Sequence, residues 1–480
     1  MRSEQGVAGT PCFVQRICPD MDRKTLLDEV SNRLGHVQLV WFGTRGDDVE
    51  SVTDLDQLSA AYSIISRYRH RSTIDSIALE DLTGARVDLD TFDIDGDLHS
   101  DAMNAFRRDV LKTLSRPSAV FTYRPSTFLS AACFARQEKC RYLGMFHDHQ
   151  SAFEHKPWVE TEIANLGIPL INWTYVADDD QLQTLRFLDE GPVILRRSRT
   201  NGGVGLVRID EPSTLKTHWP IEDEAYVSVA PYIDGGLPVN VNAVVWHDGI
   251  TVHPASVQLI GVPECTTRPF GYCGNDFAAA TDLERSQLST MDDSVRAIGE
   301  WLRRFGYLGG FGVDFLIDRN GVPLFTEVNP RLQGSTHASS QLSVEWGTSC
   351  ILLEHIAAFL GISAPSGSSL VEFAAADPHL AHFVVHWTGE APTSVDPTNL
   401  VDALIAIPGT SRIDVVTRPE LMTEPGATVA RVTAKSKLTK GGYDLAPPWS
   451  TAVTEWCAAG ATRGPLREAS STRHSEVALK

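Results

Sequence analysis

GGFGVDFLID (309–318), RNG (319–321) and VPLFTEVNPR (322–331) are two apolar, alternating runs around an Asn-Gly turn. Asn-Gly tolerates the positive φ of a tight turn, so the stretch predicts an antiparallel hairpin. Asp314 sits on one arm, and Glu327 and Asn329 on the other. Residues two apart on a strand share a face, which puts Glu327 and Asn329 together. Two carboxylates and an amide oxygen on neighbouring strands form a hard oxygen set, suited to Mg²⁺ shared with phosphates. A pair of ordinary strand-face acids is the competing reading. Both acids lie in apolar surroundings, FGVDFLI and LFTEVNP, where an uncompensated carboxylate is costly, and this favours the metal. Arg331 follows two residues after Asn329. Its planar fork suits a γ-phosphate or a carboxylate; a surface arginine after a proline is its alternative.

Outward from the hairpin, residues 290–306 carry an amphipathic helical pattern (Val295, Ile298, Trp301, Leu302, Phe305), and 226–233 and 239–259 are β-rich. PVILRRS (192–198), TNGGVG (200–205) and LVRID (206–210) read as a second hairpin around a Gly-rich turn. That turn, Asn201-Gly202-Gly203-Val204-Gly205, has neither the P-loop form nor G-x-G-x-x-G before a helix. Its backbone N–H groups, with Arg196, Arg197 and Arg199 just before them, suit a triphosphate. A plain glycine hairpin is the alternative. Lys156 opens a predicted helix to Leu166 that stops at Gly167; alone it reads as a surface lysine.

Farther upstream, VQLVWF (37–42) predicts a buried parallel strand ending at Gly43-Thr44-Arg45-Gly46, a place where open sheets hold substrates. The spacing of Leu55, Leu58, Tyr62 and Ile65 predicts a helix within 51–69. Downstream, 345–360 predicts a helix, SAPSGSS (363–369) a linker, and 380 to about 460 a β-leaning α+β unit. His147-Asp148-His149 lacks a third ligand in sequence and reads as a solvated loop.

The 480 residues call for two to four domains. A net charge of −19 disfavours nucleic-acid binding, which needs a basic face. No apolar run approaches the length of about 18 residues that a membrane span requires. Met1 to Thr10 has no apolar signal core, and eight scattered cysteines without a Cys-x-x-Cys pair read as reduced thiols. The expected compartment is therefore the cytoplasm, and a homodimer is the prior for assembly.

Lys156 with its helix, the cationic strand and Gly turn, YIDG (232–235), Asp314 and EVNPR (327–331) occur in an order that resembles the ATP-grasp superfamily over about 150–360. The resemblance implies an α/β and α+β multidomain protein. Its parts are an N-terminal α/β domain (1–150), the ATP-grasp nucleotide-binding and catalytic domain (151–362) and a small C-terminal α+β domain (370–462). The polar tail, 463–480, is expected to be disordered. The implied cofactors are ATP and two Mg²⁺ ions, with Mn²⁺ able to substitute. Asp314, Glu327 and Asn329 would be the metal ligands, and Arg331 would contact the γ-phosphate and the acyl phosphate. Lys156 would match the first phosphate-binding lysine, and Arg196 stands where the family usually has its second. Asn201, Gly202, Gly203 and Gly205 would cover the phosphates. Pro231, Tyr232 and Ile233 would form the adenine hinge. Glutamates that the family carries near Ala230 and Pro238 are missing, with Asn240 and Asn242 as substitutes for the ribose. The Gly turn and 266–276 (TTRPFGYCGND) are the lid candidates, and Arg45, Arg268 and Ser335 are assigned to substrate.

WFGTRGDDVES (41–51) and the β-leaning tail also resemble a smaller group with a distinct domain before the ATP-grasp domain. That group includes the peptide ligase of pheganomycin biosynthesis. The implied reaction joins a small-molecule or peptide carboxylate to an amine through an acyl phosphate. No nucleic acid or membrane takes part. A carboxylase-like enzyme acting on another acid and a non-catalytic ATP-binding module are the rival readings.

Overall fold

Five parallel strands, in the order Asp75–Ala78, Leu58–Ile65, Gln38–Arg45, Ser118–Thr122 and Cys140–Leu143, build the first sheet. In the computed structural model, residues 22–96, 100–177, 181–197, 202–219, 226–440 and 442–459 are described, with only the backbone for 181–183 and 216. Met1 to Thr10, Arg199, Asn201 and the 463–480 tail lie outside the described residues. The central strand is apolar over Leu39–Phe42, where both faces are covered. Trp41 packs with Leu26 and Val30 on one side, and Val40 and Phe42 with Phe106 on the other.

The segment expected to be helical within 51–69 is different. Gly46–Val52 forms a short 3₁₀ helix, and Leu58–Ile65 is a strand parallel to Gln38–Arg45. LSAAYSII is buried almost throughout, so it shows no polar alternation. A strand covered on both faces removes the period that would distinguish it from a helix.

Two antiparallel sheets follow. One has the order Thr174–Ala177, Tyr226–Pro231, Val193–Arg196, Leu206–Ile209. The other has eight strands, from Pro323–Asn329 at one edge through Gly309–Ile317, Leu237–Val245, Ile250–Ile260 and Tyr272–Asp276. Ala381–His386, Thr428–Ala434 and Thr410–Asp414 continue that sheet to its far edge. The β-leaning tail is thus joined edge to edge with the central sheet. Its strand Thr428–Ala434 is buried at every position, Arg431 included.

Helix Arg285–Arg304 covers the Leu237–Val245 and Ile250–Ile260 strands with Val295, Ile298, Trp301 and Leu302. Phe305, placed on the same stripe by spacing, caps the helix at 52% exposure and rests on Trp158 and Trp301. The helix expected over 345–360 is Ile351–Phe359, and a separate helix, Thr336–Glu345, precedes it. Gly347, at φ +71°, breaks them by taking the left-handed backbone that other residues avoid. Among the described residues no helix is long and apolar enough to cross a membrane.

Candidate active site

Regular pairing continued from Ile317–Pro323 and Phe315–Phe325 would set Asp314 opposite Thr326 and turn Glu327 to the other face. The register slips here: Asp314 pairs with Glu327, and Thr326 is the extra residue of a β-bulge. The bulge therefore brings both carboxylates to one face, with Asn329 two residues on. Asp314 accepts hydrogen bonds from Asn240 Nδ2 (2.7 Å), Asn329 Nδ2 (2.9 Å) and Gln258 Nε2 (3.1 Å). Burial, and then the charge of Glu327, push Asp314 up to about 7. Glu327 accepts from Lys156 Nζ at 2.7 Å. A divalent cation is the charge that would relieve both carboxylates together. The donor set fits Mg²⁺: two carboxylates, with the amide oxygen of Asn329 beside them. Among the described residues no group of three or more His, Cys, Asp or Glu side chains is placed to hold a metal.

Lys156 is the first residue of helix Lys156–Asn165, and its side chain is 7% exposed. Burial against Glu327 separates it from the surface lysine that its sequence context alone allowed. Arg196 ends the strand Val193–Arg196 and donates from Nη2 to Glu160 Oε1 at 2.5 Å. Its guanidinium lies 3.8 Å from the ring centroid of Trp173. Tyr175 donates to the other oxygen of Glu160 at 2.8 Å. Burial pulls Glu160 upward, and Arg196 opposes it. Arg196 thus reaches the cleft already paired with a buried carboxylate and aligned on an aromatic face. Arg331 has its Nε 3.7 Å from Glu154 Oε1. Glu160, Trp173 and Tyr175 escaped the sequence reading, because no local pattern links a helix glutamate to a strand arginine thirty-six residues on.

A cleft of about 430 Å³ collects Lys156, Arg196, Asp314, Glu327, Asn329 and Arg331. Its apolar end is formed by Ile171, Ile194, Pro231, Tyr232, Ile233 and Leu316. Tyr232 N–H is bonded to Pro192 O at 2.8 Å and Pro231 has no N–H, so of the three expected hinge residues neither of these has an N–H to offer a ligand. Gly202 and Gly203 line the cleft and Gly205 does not. Gly203, at φ +76°, approaches the Phe270 carbonyl so closely that a Cβ would lie 2.0 Å from that oxygen. The two lid candidates therefore meet across the mouth. Of the 266–276 candidate, Tyr272–Asp276 is a strand paired on both sides, and only 266–271 lies outside a strand.

The side chains of Asn240, Asn242, Ser335 and Arg268 all have partners within the protein. Asn240, expected at the ribose, orients Asp314 and also donates to Gln333 Oε1 at 2.8 Å. Ser335, expected at substrate, uses its hydroxyl to donate to Asn240 Oδ1 (2.7 Å) and to accept from Asn242 Nδ2 (2.8 Å). Strand pairing sets Asn240 and Asn242 beside Asp314 and Gly312, so both serve the acidic site. Arg268, also expected at substrate, is engaged by Asp88 and Asp90 and ties the 266–271 segment to the N-terminal part. Arg45 does line the cleft, with Thr44. His147 to His149 open a short helix, His147–Ala152, rather than a loop; His147 Nδ1 is 3.1 Å from Asp148 Oδ1.

A family model described as an ATP-grasp domain matches residues 179–335. Comparison with curated proteins finds no match. Among solved structures, a biotin carboxylase from Campylobacter jejuni bound to a β,γ-ATP ligand is similar at TM-score 0.57 and 14% identity. The match covers 84% of this chain and 88% of that one. N5-carboxyaminoimidazole synthase from Aspergillus clavatus, with ADP and 5-aminoimidazole ribonucleotide, is similar at TM-score 0.56 and 13% identity, covering 87% and 96%. N5-carboxyaminoimidazole synthetase from Staphylococcus aureus, with ADP, is similar at TM-score 0.52 and 13% identity, covering 88% and 96%. Such distant likeness speaks to architecture alone, and on that footing the chain has the ATP-grasp fold.

Proposed function

We propose that this chain is an ATP-dependent ligase that activates a carboxylate as an acyl phosphate and joins it to an amine. The observation that carries the reading is the paired Asp314 and Glu327 in one cleft with Lys156, Arg196 and Arg331. Mg²⁺ held by Asp314, Glu327 and Asn329 would neutralise phosphate charge and polarise the transferring group. Lys156 and Arg331 would stabilise the charge that spreads over the γ-phosphoryl oxygens. The carboxylate oxygen attacks the γ-phosphorus and the bond to ADP breaks. The amine nitrogen then attacks the acyl carbon, phosphate leaves with the electron pair, and the amine proton passes to solvent. No covalent enzyme nucleophile is required. Gly202 and Gly203 against Phe270 would keep water from the acyl phosphate.

The finer reading is a peptide or amino-acid ligase of natural-product assembly, acting in the cytoplasm. It is supported by the resemblance of 41–51, whose Thr44 and Arg45 line the same cleft as the acidic pair. Nucleotide turnover by the purified protein with Mg²⁺-ATP, over a panel of amino acids and short peptides, tests both levels. ADP, phosphate and an amide found by mass spectrometry are expected. AMP and pyrophosphate would overturn the acyl phosphate, and no turnover with ATP still bound would favour the binding module. The named neighbours include a biotin carboxylase, which supports a second reading with bicarbonate as the acid. Bicarbonate-dependent ADP release without a second carboxylate would establish it.

Gly203→Val should raise the KM for ATP about ten- to a hundredfold with little change in melting temperature. A strained left-handed valine that also meets Phe270 costs on the order of 1–3 kcal/mol, and the strain is relieved by opening the turn. An unchanged KM would show that closure on Phe270 plays no part in holding ATP.

A further inference from the structure

We propose that Arg45, assisted by Thr44, holds the carboxylate of an α-amino acid that serves as the amine substrate; this rests on the ligase reading above. Arg45 is the last residue of the central parallel strand Gln38–Arg45, at the carboxyl end where open sheets present ligand sites. It is 9% exposed and lines the cleft. Among the described residues its guanidinium has no carboxylate within ion-pair distance, and its Nε has no hydrogen-bond partner. The other deeply buried arginines behave differently: Arg86 is paired with Glu80, Arg196 with Glu160, and Arg431 with Asp48 and Asp414. A buried guanidinium without a counter-ion is costly, and an anion supplied by a ligand removes that cost. Thr44 Oγ1, one residue away and also lining the cleft, is a second buried polar atom without a partner.

The surroundings select the anion. Tyr123 lines the cleft and feels the charges of both Arg331 and Arg45. Arg331 belongs with the acid being activated, so Arg45 is left for the second substrate. Asp90 lines the same cleft and is also within electrostatic reach of Tyr123. The cleft thus carries the Arg45 cation and, at Asp90, a carboxylate that Arg268 also engages at 2.8 Å, and the two complement the charges of an amino acid. Asp47 and Asp48 lie two and three residues after Arg45, and Asp90 lines the same cleft. That concentration of acids disfavours a phosphate dianion more than a carboxylate monoanion.

Thermal-shift titration of the wild-type protein with the twenty common L-amino acids and with their C-terminal amides tests the assignment, with ribose 5-phosphate as the phosphate probe. At least one amino acid should raise the melting temperature, and its amide should bind at least tenfold more weakly. Arg45→Gln should lose that shift while keeping its shift with Mg²⁺-ATP, and Arg45→Lys should retain part of it. Equal response to acid and amide, a shift with ribose 5-phosphate alone, or no response to any amino acid would overturn the assignment. The comparison of acid with amide uses only the wild-type protein, so it stands even where a variant fails to fold. Failure of the ligase reading would register separately, as absence of ADP release in the presence of an amino acid that binds.

Discussion

Glu327→Gln should lower ATP-dependent turnover by about two to three orders of magnitude, with the fold intact. The carboxylate is one of two that the β-bulge at Thr326 brings to a common face. The amide is almost isosteric, so packing is preserved, and Glu327 is at the cleft rather than in a core. Two consequences follow from the lost charge. Lys156, bonded to Glu327 at 2.7 Å, loses its anion, and the Mg²⁺ set is left with one carboxylate. Removal of one electrostatic partner at a phosphoryl-transfer centre costs about 3–4 kcal/mol in the barrier, which is the predicted factor. Asp314→Asn should behave likewise, and the double variant should fall little below either single one, because the pair acts as a unit. Steady-state ADP release by the three variants, with melting temperature as the control for folding, measures this. Turnover within about threefold of wild type in Glu327→Gln would remove the metal assignment.

The acidic hairpin was legible in the sequence because its signal is local: an Asn-Gly turn, alternation, and carboxylates where apolar residues belong. Its register was not. A one-residue bulge leaves no mark in LFTEVN, yet without it Glu327 would face away from Asp314. The strand Gln38–Arg45 was legible for its apolar run, whereas its neighbour Leu58–Ile65 was mistaken for a helix because burial on both faces erases periodicity. Burial also decides which cations matter. Lys156 and Arg45 look like many exposed basic residues until the fold encloses them. Arg268 met the opposite fate, since its partners Asp88 and Asp90 lie about 180 residues upstream and are invisible to any local pattern. Asn240 and Ser335 line the cleft and are bonded to one another. They brace Asp314 through a chain of hydrogen bonds that only strand pairing assembles.

The C-terminal strands have a stake in that site through one residue, and Arg431→Met should destabilise the protein by about 3–5 kcal/mol. Arg431 lies on Thr428–Ala434, is 2% exposed, and donates from Nη1 to Asp48 Oδ1 at 2.6 Å and from Nε to Asp414 Oδ1 at 2.7 Å. His337 faces the same carboxylates, 4.0 Å from Asp48 and 3.9 Å from Asp414. In the wild-type protein burial, and then Arg431, hold His337 well below its usual range. Methionine would fill the volume, strand Asp48 and leave Asp414 with Arg412 Nε, 2.9 Å away, as its remaining cation. Unpaired burial raises a carboxylate's pKa in the folded state above its unfolded value, so the loss is felt above the unfolded pKa of about 4 and fades in acid. The deficit should therefore be larger at pH 8 than at pH 5, read as the shift in urea midpoint at each pH. Adding Asp48→Asn and Asp414→Asn should recover most of it, because the cost lies in the stranded charges and not in the missing contacts. A deficit below about 1 kcal/mol, or one independent of pH, would show that water reaches these carboxylates and that the pairing is dispensable. Asp48 lies three residues after Arg45, so the same variant should also weaken amino-acid binding, and the C-terminal strands would then be part of how the cleft holds its second substrate.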